Sequence, residues 1–152
     1  MPRIVREAEI SWEGTTARGS GVVTAVTSGA FALPTTIASR VAVDPEGKTS
    51  PEELLAAAHA ACFVTSLGSE LARAGTPPER MHVRCTITMD EVPGAGHRIV
   101  ASALAARALV PGCEQEALAA AAEAADVGCP LSALIRASAT VTVEATLEGG
   151  GA

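Results

Sequence analysis

The sequence predicts a fold of mixed strands and helices: short strands first, one long helix in the middle, then a hairpin, two helices and a last strand. Three observations predict it. Short β-type patterns broken by Gly14, Gly29 and Pro34 fill the first part of the chain, a strong helix start follows at Ser50-Pro51-Glu52-Glu53, and a two-residue alternation runs from Met81 to Glu91.

The early strands fall near Arg3 to Glu13, Gly19 to Val26 and Phe31 to Val43, an antiparallel meander. Ser50 then serves as N-cap, Pro51 takes the first helical position and Glu53 completes a capping box, so a helix runs to about Arg73 and stops near Gly75, Pro77 and Pro78. Along it Leu54, Ala58, Ala61, Thr65, Gly68 and Ala72 form a stripe of mostly small residues that lets a neighbouring helix approach closely. Met81, Val83, Cys85, Ile87 and Met89 share one face of the next strand, and Ile99 to Val110 pairs with it across Pro93-Gly94-Ala95-Gly96. Glu114 to Val127 is an Ala-rich helix with Gly128 after its end, Cys129-Pro130 opens a short helix to about Arg136, and Ala139 to Leu147 is the final strand. One domain over residues 1–147 and a loose tail over 148–152 account for the whole length.

A net charge of −6 argues against nucleic acid or an anionic membrane surface as partner. The N-terminus carries charges at Arg3, Arg6, Glu7 and Glu9 and no apolar signal segment. The longest apolar run, Leu54 to Leu67, is broken by His59 and falls short of the roughly 20 residues of a membrane span. A cytoplasmic location is expected, where the four cysteines stay reduced.

Two of those cysteines sit in distinctive frames. Cys62 lies in the middle of the long helix, beyond the reach of its N-terminal dipole, so its reactivity needs another positive charge; a small core thiol is the plainer reading of the same residue. Cys129, as N-cap directly before Pro130, would feel a free helix end, so the residues alone leave open which of the two is the nucleophile. Cys85 reads as core and Cys113 as an N-cap or surface thiol. Zinc on these sulfurs with His59 or His82 lacks the close Cys pairs that such sites show. Since the capping box uses Glu53, Glu52 is the candidate functional carboxylate. It precedes Cys62 by ten residues, roughly 15 Å of helix, so a site holding both needs Cys62 from another subunit and hence an obligate symmetric dimer.

The run Ser-Pro-Glu-Glu-Leu-Leu-Ala-Ala-Ala-His-Ala-Ala-Cys-Phe (Ser50 to Phe63), followed by the hairpin, Val110-Pro111-Gly112 and Gly128-Cys129-Pro130-Leu131-Ser132, resembles the OsmC/Ohr family of thiol-dependent hydroperoxide reductases over nearly the whole chain. His59 ahead of Ala60-Ala61-Cys62 is nearer the OsmC branch. The resemblance implies an α+β fold in which two chains interlock, antiparallel sheets wrapping central helices. It implies Cys62 as the peroxidatic cysteine and Cys129 as the resolving one, with Arg40 activating Cys62, Glu52 orienting Arg40, and Arg18 as the alternative arginine. It further implies reduction of organic hydroperoxides in oxidative or osmotic stress defence, no bound cofactor, and an external dithiol reductant, lipoyl-linked in Ohr-type relatives. Two rival classes stand beside it: a redox sensor or binding protein whose cysteines never turn over, and a structural dimer whose cysteines only pack.

Overall fold

The computed structural model of the protein describes residues 1–149. These fall into two compact units, Met1–Leu54 and a second from Leu55 onward.

In the first unit β1 (Ala8–Glu13), β2 (Ser20–Ala25) and β3 (Ala32–Thr35) form an antiparallel sheet in that order, the expected meander with shorter strands. Gly21 lets β2 lie against Trp12, since a Cβ there would come within 2.7 Å of the indole ring. The third stretch departs from expectation. Only Ala32–Thr35 of Phe31 to Val43 is strand, and Ile37–Val41 is a short helix, α1. The cause is local: the Ser39 N–H donates to Thr36 Oγ1 at 2.9 Å and the Thr36 N–H to Ser39 Oγ at 3.2 Å, a reciprocal capping box that turns the chain out of the sheet. Arg40 thereby sits in the last turn of a helix and not on a strand.

Helix α2 (Pro51–Arg73) starts as the sequence predicts: the Glu53 N–H donates to Ser50 Oγ at 3.2 Å and the Leu54 N–H to Ser50 O at 3.0 Å. The Glu53 carboxylate accepts the Thr49 hydroxyl at 2.9 Å, so its capping partner is one residue earlier than the box requires. The helix ends at Gly75, with φ +85°, where the Thr76 N–H reaches Leu71 O and the Gly75 N–H reaches Ala72 O. At 23 residues α2 is long and apolar enough by length and composition to cross a membrane, as core helices also can be. Its buried residues His59, Phe63, Leu67 and Leu71 nevertheless make it the core helix of the second unit.

That unit has a three-stranded sheet in the order β4 (Arg80–Val92), β5 (Gly96–Leu109), β6 (Thr140–Leu147). β4 and β5 form the expected hairpin, with a register shift at Thr88/Met89, and the residues of β4 alternate between partly buried and exposed in the expected phase. β5 and β6 run parallel, which requires a crossover, and α3 (Gln115–Gly128) with α4 (Pro130–Arg136) provides it. Gly128 stays within α3 and Cys129 is its extended C-cap, so the break falls one residue later than expected. Leu104, Ala106, Ala108, Leu118, Ala122 and Ala125 close the core over Phe63 and Leu67.

Of the segment expected as a loose tail, Gly150, Gly151 and Ala152 lie outside the described residues. Glu148 is tied to the sheet, its N–H on Ala108 O and its carboxylate on Arg80 Nε, both at 2.8 Å. Replacing Ser50→Ala should cost about 1 kcal/mol of stability by loss of the α2 cap, measured by urea denaturation.

Candidate active site

Within the first unit α1 delivers Arg40 to Glu52 at the start of α2. The guanidinium grips the carboxylate at both ends, Nε to Oε2 at 3.0 Å and Nη2 to Oε1 at 2.5 Å, with the two side chains 32% and 18% exposed. The hydrogen bond to Arg40 holds the Glu52 carboxyl below its ordinary range, and the same bond raises the Arg40 guanidinium further. Arg18, the alternative arginine, is exposed in the turn between β1 and β2. Of the two carboxylates at the helix start, Arg40 meets Glu52, while Glu53 accepts the Thr49 hydroxyl.

Within the second unit the crossover returns Cys129 to α2. Its buried thiol points at Cys62 Sγ from 3.2 Å, and both cysteines are free. The α4 terminus does not act as position alone suggests. Cys129 makes no side-chain cap hydrogen bond, Pro130 has no N–H to offer, and the next amide, that of Leu131, acts on the Cys62 thiol. Burial nonetheless pushes the Cys62 thiol above its ordinary value; the Leu131 amide opposes this and the neighbouring Cys129 thiol adds to it. None of these influences is a cation, so the lowered pKa expected of Cys62 is not met by the groups acting on it in this chain.

Beneath the sulfurs lies a polar cluster that sequence reasoning missed. His59 is fully buried, with Nδ1 2.7 Å from Ser102 Oγ on β5 and Nε2 2.8 Å from Ser132 Oγ on α4. Cys85 on β4 packs against the core as expected, but its Sγ also lies 3.3 Å from Ser102 Oγ. Burial lowers the His59 pKa, and the nearby charges Asp126 and Arg136 act in opposite directions, so the ring is neutral. A neutral imidazole donates from one nitrogen and accepts at the other, which two serine hydroxyls can satisfy. The signal was in the spacing: His59 and Ser132 each stand three residues, one turn, from a candidate cysteine. Cys113 is not the N-cap of α3; Glu114 is, and the Cys113 thiol turns to Glu114 O. Among the described residues no group of three or more His, Cys, Asp or Glu is placed to hold a metal ion.

Residues 44–144 match the family model of OsmC-like proteins. The chain belongs to the OsmC-like family. The matched span of this OsmC-like protein contains Glu52, His59, Cys62 and Cys129 and begins just after Arg40. The chain is 33% identical over 138 residues to Peroxiredoxin OsmC of Escherichia coli (strain K12), covering 91% of this chain and 94% of the relative, which supports thiol-dependent peroxidase activity. Its fold is that of the organic hydroperoxide resistance protein OsmC from Legionella pneumophila (22% identity, TM-score 0.72, 96% and 99% of the two chains). It is also that of OhrB from Bacillus subtilis (21% identity, TM-score 0.70, 91% and 97%). The mixed α+β class expected from the sequence is therefore observed.

Glu52 has a depressed folded pKa, so the stabilisation from its pair with Arg40 is complete above the unfolded carboxyl pKa and is lost as pH falls through the lower folded value. A double-mutant cycle of Arg40→Met and Glu52→Gln should give a coupling of about 1 kcal/mol or less at pH 7 that fades as pH drops below about 4.

Proposed function

We propose that this OsmC-like protein reduces organic hydroperoxides with Cys62 as the peroxidatic and Cys129 as the resolving cysteine. The observation that carries the assignment is the pair of free sulfurs 3.2 Å apart, one of which, Cys62, is partly exposed while the other is buried. The Cys62 thiolate attacks the distal oxygen of the hydroperoxide, the O–O bond breaks, and the alkoxide leaves as an alcohol on taking a proton. The sulfenic acid on Cys62 then condenses with the Cys129 thiol, forming the disulfide and releasing water. An external dithiol, lipoyl-linked on the Ohr precedent, reopens the disulfide by exchange and is itself oxidised.

The thiolate needs a charge that burial, Leu131 and Cys129 do not supply. We assign it to Arg40 of the partner subunit, oriented by Glu52 of the partner subunit, in a homodimer with composite sites. The face of α2 bearing Ala58, Ala61, Thr65, Ser69 and Ala72 is exposed and built of small residues. Its hydroxyls are turned inward, Thr65 Oγ1 donating to Cys62 O at 2.8 Å and Ser69 Oγ to Thr65 O at 3.0 Å, leaving a surface that suits close approach of a second helix. Gly68 of the expected stripe instead faces Met81 of β4, where a Cβ would come within 3.1 Å of the methionine methyl.

One equivalent of cumene hydroperoxide should convert the native protein to a Cys62–Cys129 disulfide and the Cys129→Ser variant to a sulfenic acid at Cys62, read by mass spectrometry; an unmodified Cys62 in both refutes the assignment. Complementation tests the composite site. Cys62→Ser and Arg40→Ala proteins, each inactive alone, should on mixing and subunit exchange regain about one quarter of native turnover, because each mixed dimer holds one intact site. No recovery despite exchange would place both residues of a site in one chain.

A further inference from the structure

The two contacts between α2 and α4 share a register. Cys62 meets Cys129, and one turn back along α2 His59 meets Ser132, one turn further along α4, at 2.8 Å. On α2 three residues separate the two contacts, and Ser132 stands three residues past Cys129, the N-cap of α4, so a shift of α4 along α2 would move both. His59 is the rigid member. Its ring is pinned from the opposite side by Ser102 on β5, the central strand, itself fully buried and in contact with Cys85. α4 is only seven residues long and follows a break at Cys129, so its own helix supplies little to hold it in place. A further polar tie of α4 is the Arg136–Asp126 pair at its far end.

We infer that His59 is a positioning residue for the thiol chemistry: anchored on Ser102, it sets the register of α4 against α2 through Ser132 and so keeps the Cys129 sulfur within reach of Cys62. This role rests on the proposed cysteine assignments. The step it serves is condensation, in which the Cys62 S–O bond breaks, the S–S bond forms, and the Cys129 proton leaves with the hydroxyl as water. Misplacement of reacting atoms by about 1 Å can cost a factor of 100, so even a small shift of α4 on loss of the tie would slow this step.

Rapid-quench mass spectrometry on the full chain after one equivalent of cumene hydroperoxide separates oxidation of Cys62 from formation of the disulfide. Ser132→Ala, which deletes a single hydroxyl, and His59→Leu should slow disulfide formation about 10- to 100-fold while slowing Cys62 oxidation much less, so that sulfenic acid accumulates and is captured by dimedone. His59→Gln, whose amide can still reach Ser132, should restore most of the rate. Native-like disulfide formation in Ser132→Ala overturns the inference, even if His59→Leu does not fold. So does an equal slowing of both steps that Gln fails to rescue, the mark of general loosening. If the native protein forms neither sulfenic acid nor disulfide at Cys62, the cysteine assignments fail and this role fails with them; if the native protein forms both and the variants match it, the positioning role alone is wrong.

Discussion

The second unit is organised by how α4 lies on α2. A polar ring buried between a strand and two helices is costly unless both nitrogens are met, since each buried group left without a partner costs about 1–3 kcal/mol. Ser102 and Ser132 meet both nitrogens of His59, and their short contacts leave α4 little freedom to slide. The sulfur pair is the visible result of that constraint. The parallel β5–β6 pairing works in the same direction, because it forces a crossover whose two helices bring Cys129 back over the core.

The first unit contributes a different device. α1 is five residues long and exists because Thr36 and Ser39 cap each other, yet it suffices to aim Arg40 along a carboxylate with two hydrogen bonds. A guanidinium held this way keeps its charge and its direction, as an activating group must. On the proposed assembly the two devices are completed by each other across the dimer: a thiol that burial keeps protonated in one chain is ionised by an arginine prearranged in the other. A protein arranged this way couples its reactivity to its association.

Much of this was legible before any coordinates. The α2 start was written in Ser50 and Pro51, the hairpin in the alternation of Met81 to Met89, and the α3–α4 break in Cys129-Pro130, because these signals act over a few residues. α1 was not legible, since Thr36 and Ser39 are ordinary residues whose pairing depends on where the preceding strand stops. Arg40 against Glu52 could be named from the resemblance, but the bidentate grip follows from that unforeseen helix. The buried cluster was harder to see: Ser102 and Ser132 lie 43 and 73 residues from His59 in sequence, and apart from the one-turn spacing of His59 and Ser132 from the two cysteines no local pattern marks residues that meet only after the sheet forms. The same holds for the Leu131 amide, which acts on the Cys62 thiol where position on the helix had pointed to Cys129.

The 67-position separation of the two cysteines also carries a meaning for the protein at birth. At ribosomal rates of roughly 5–20 residues per second, Cys62 leaves the peptidyl-transferase centre about 3–13 seconds before Cys129 does. Throughout that interval the nascent chain carries Cys62, and later Cys85 and Cys113, while Cys129 has yet to be translated. An oxidant arriving then would find Cys62 without Cys129 beside it, and the helix that carries it would have neither crossover nor finished sheet to lie against.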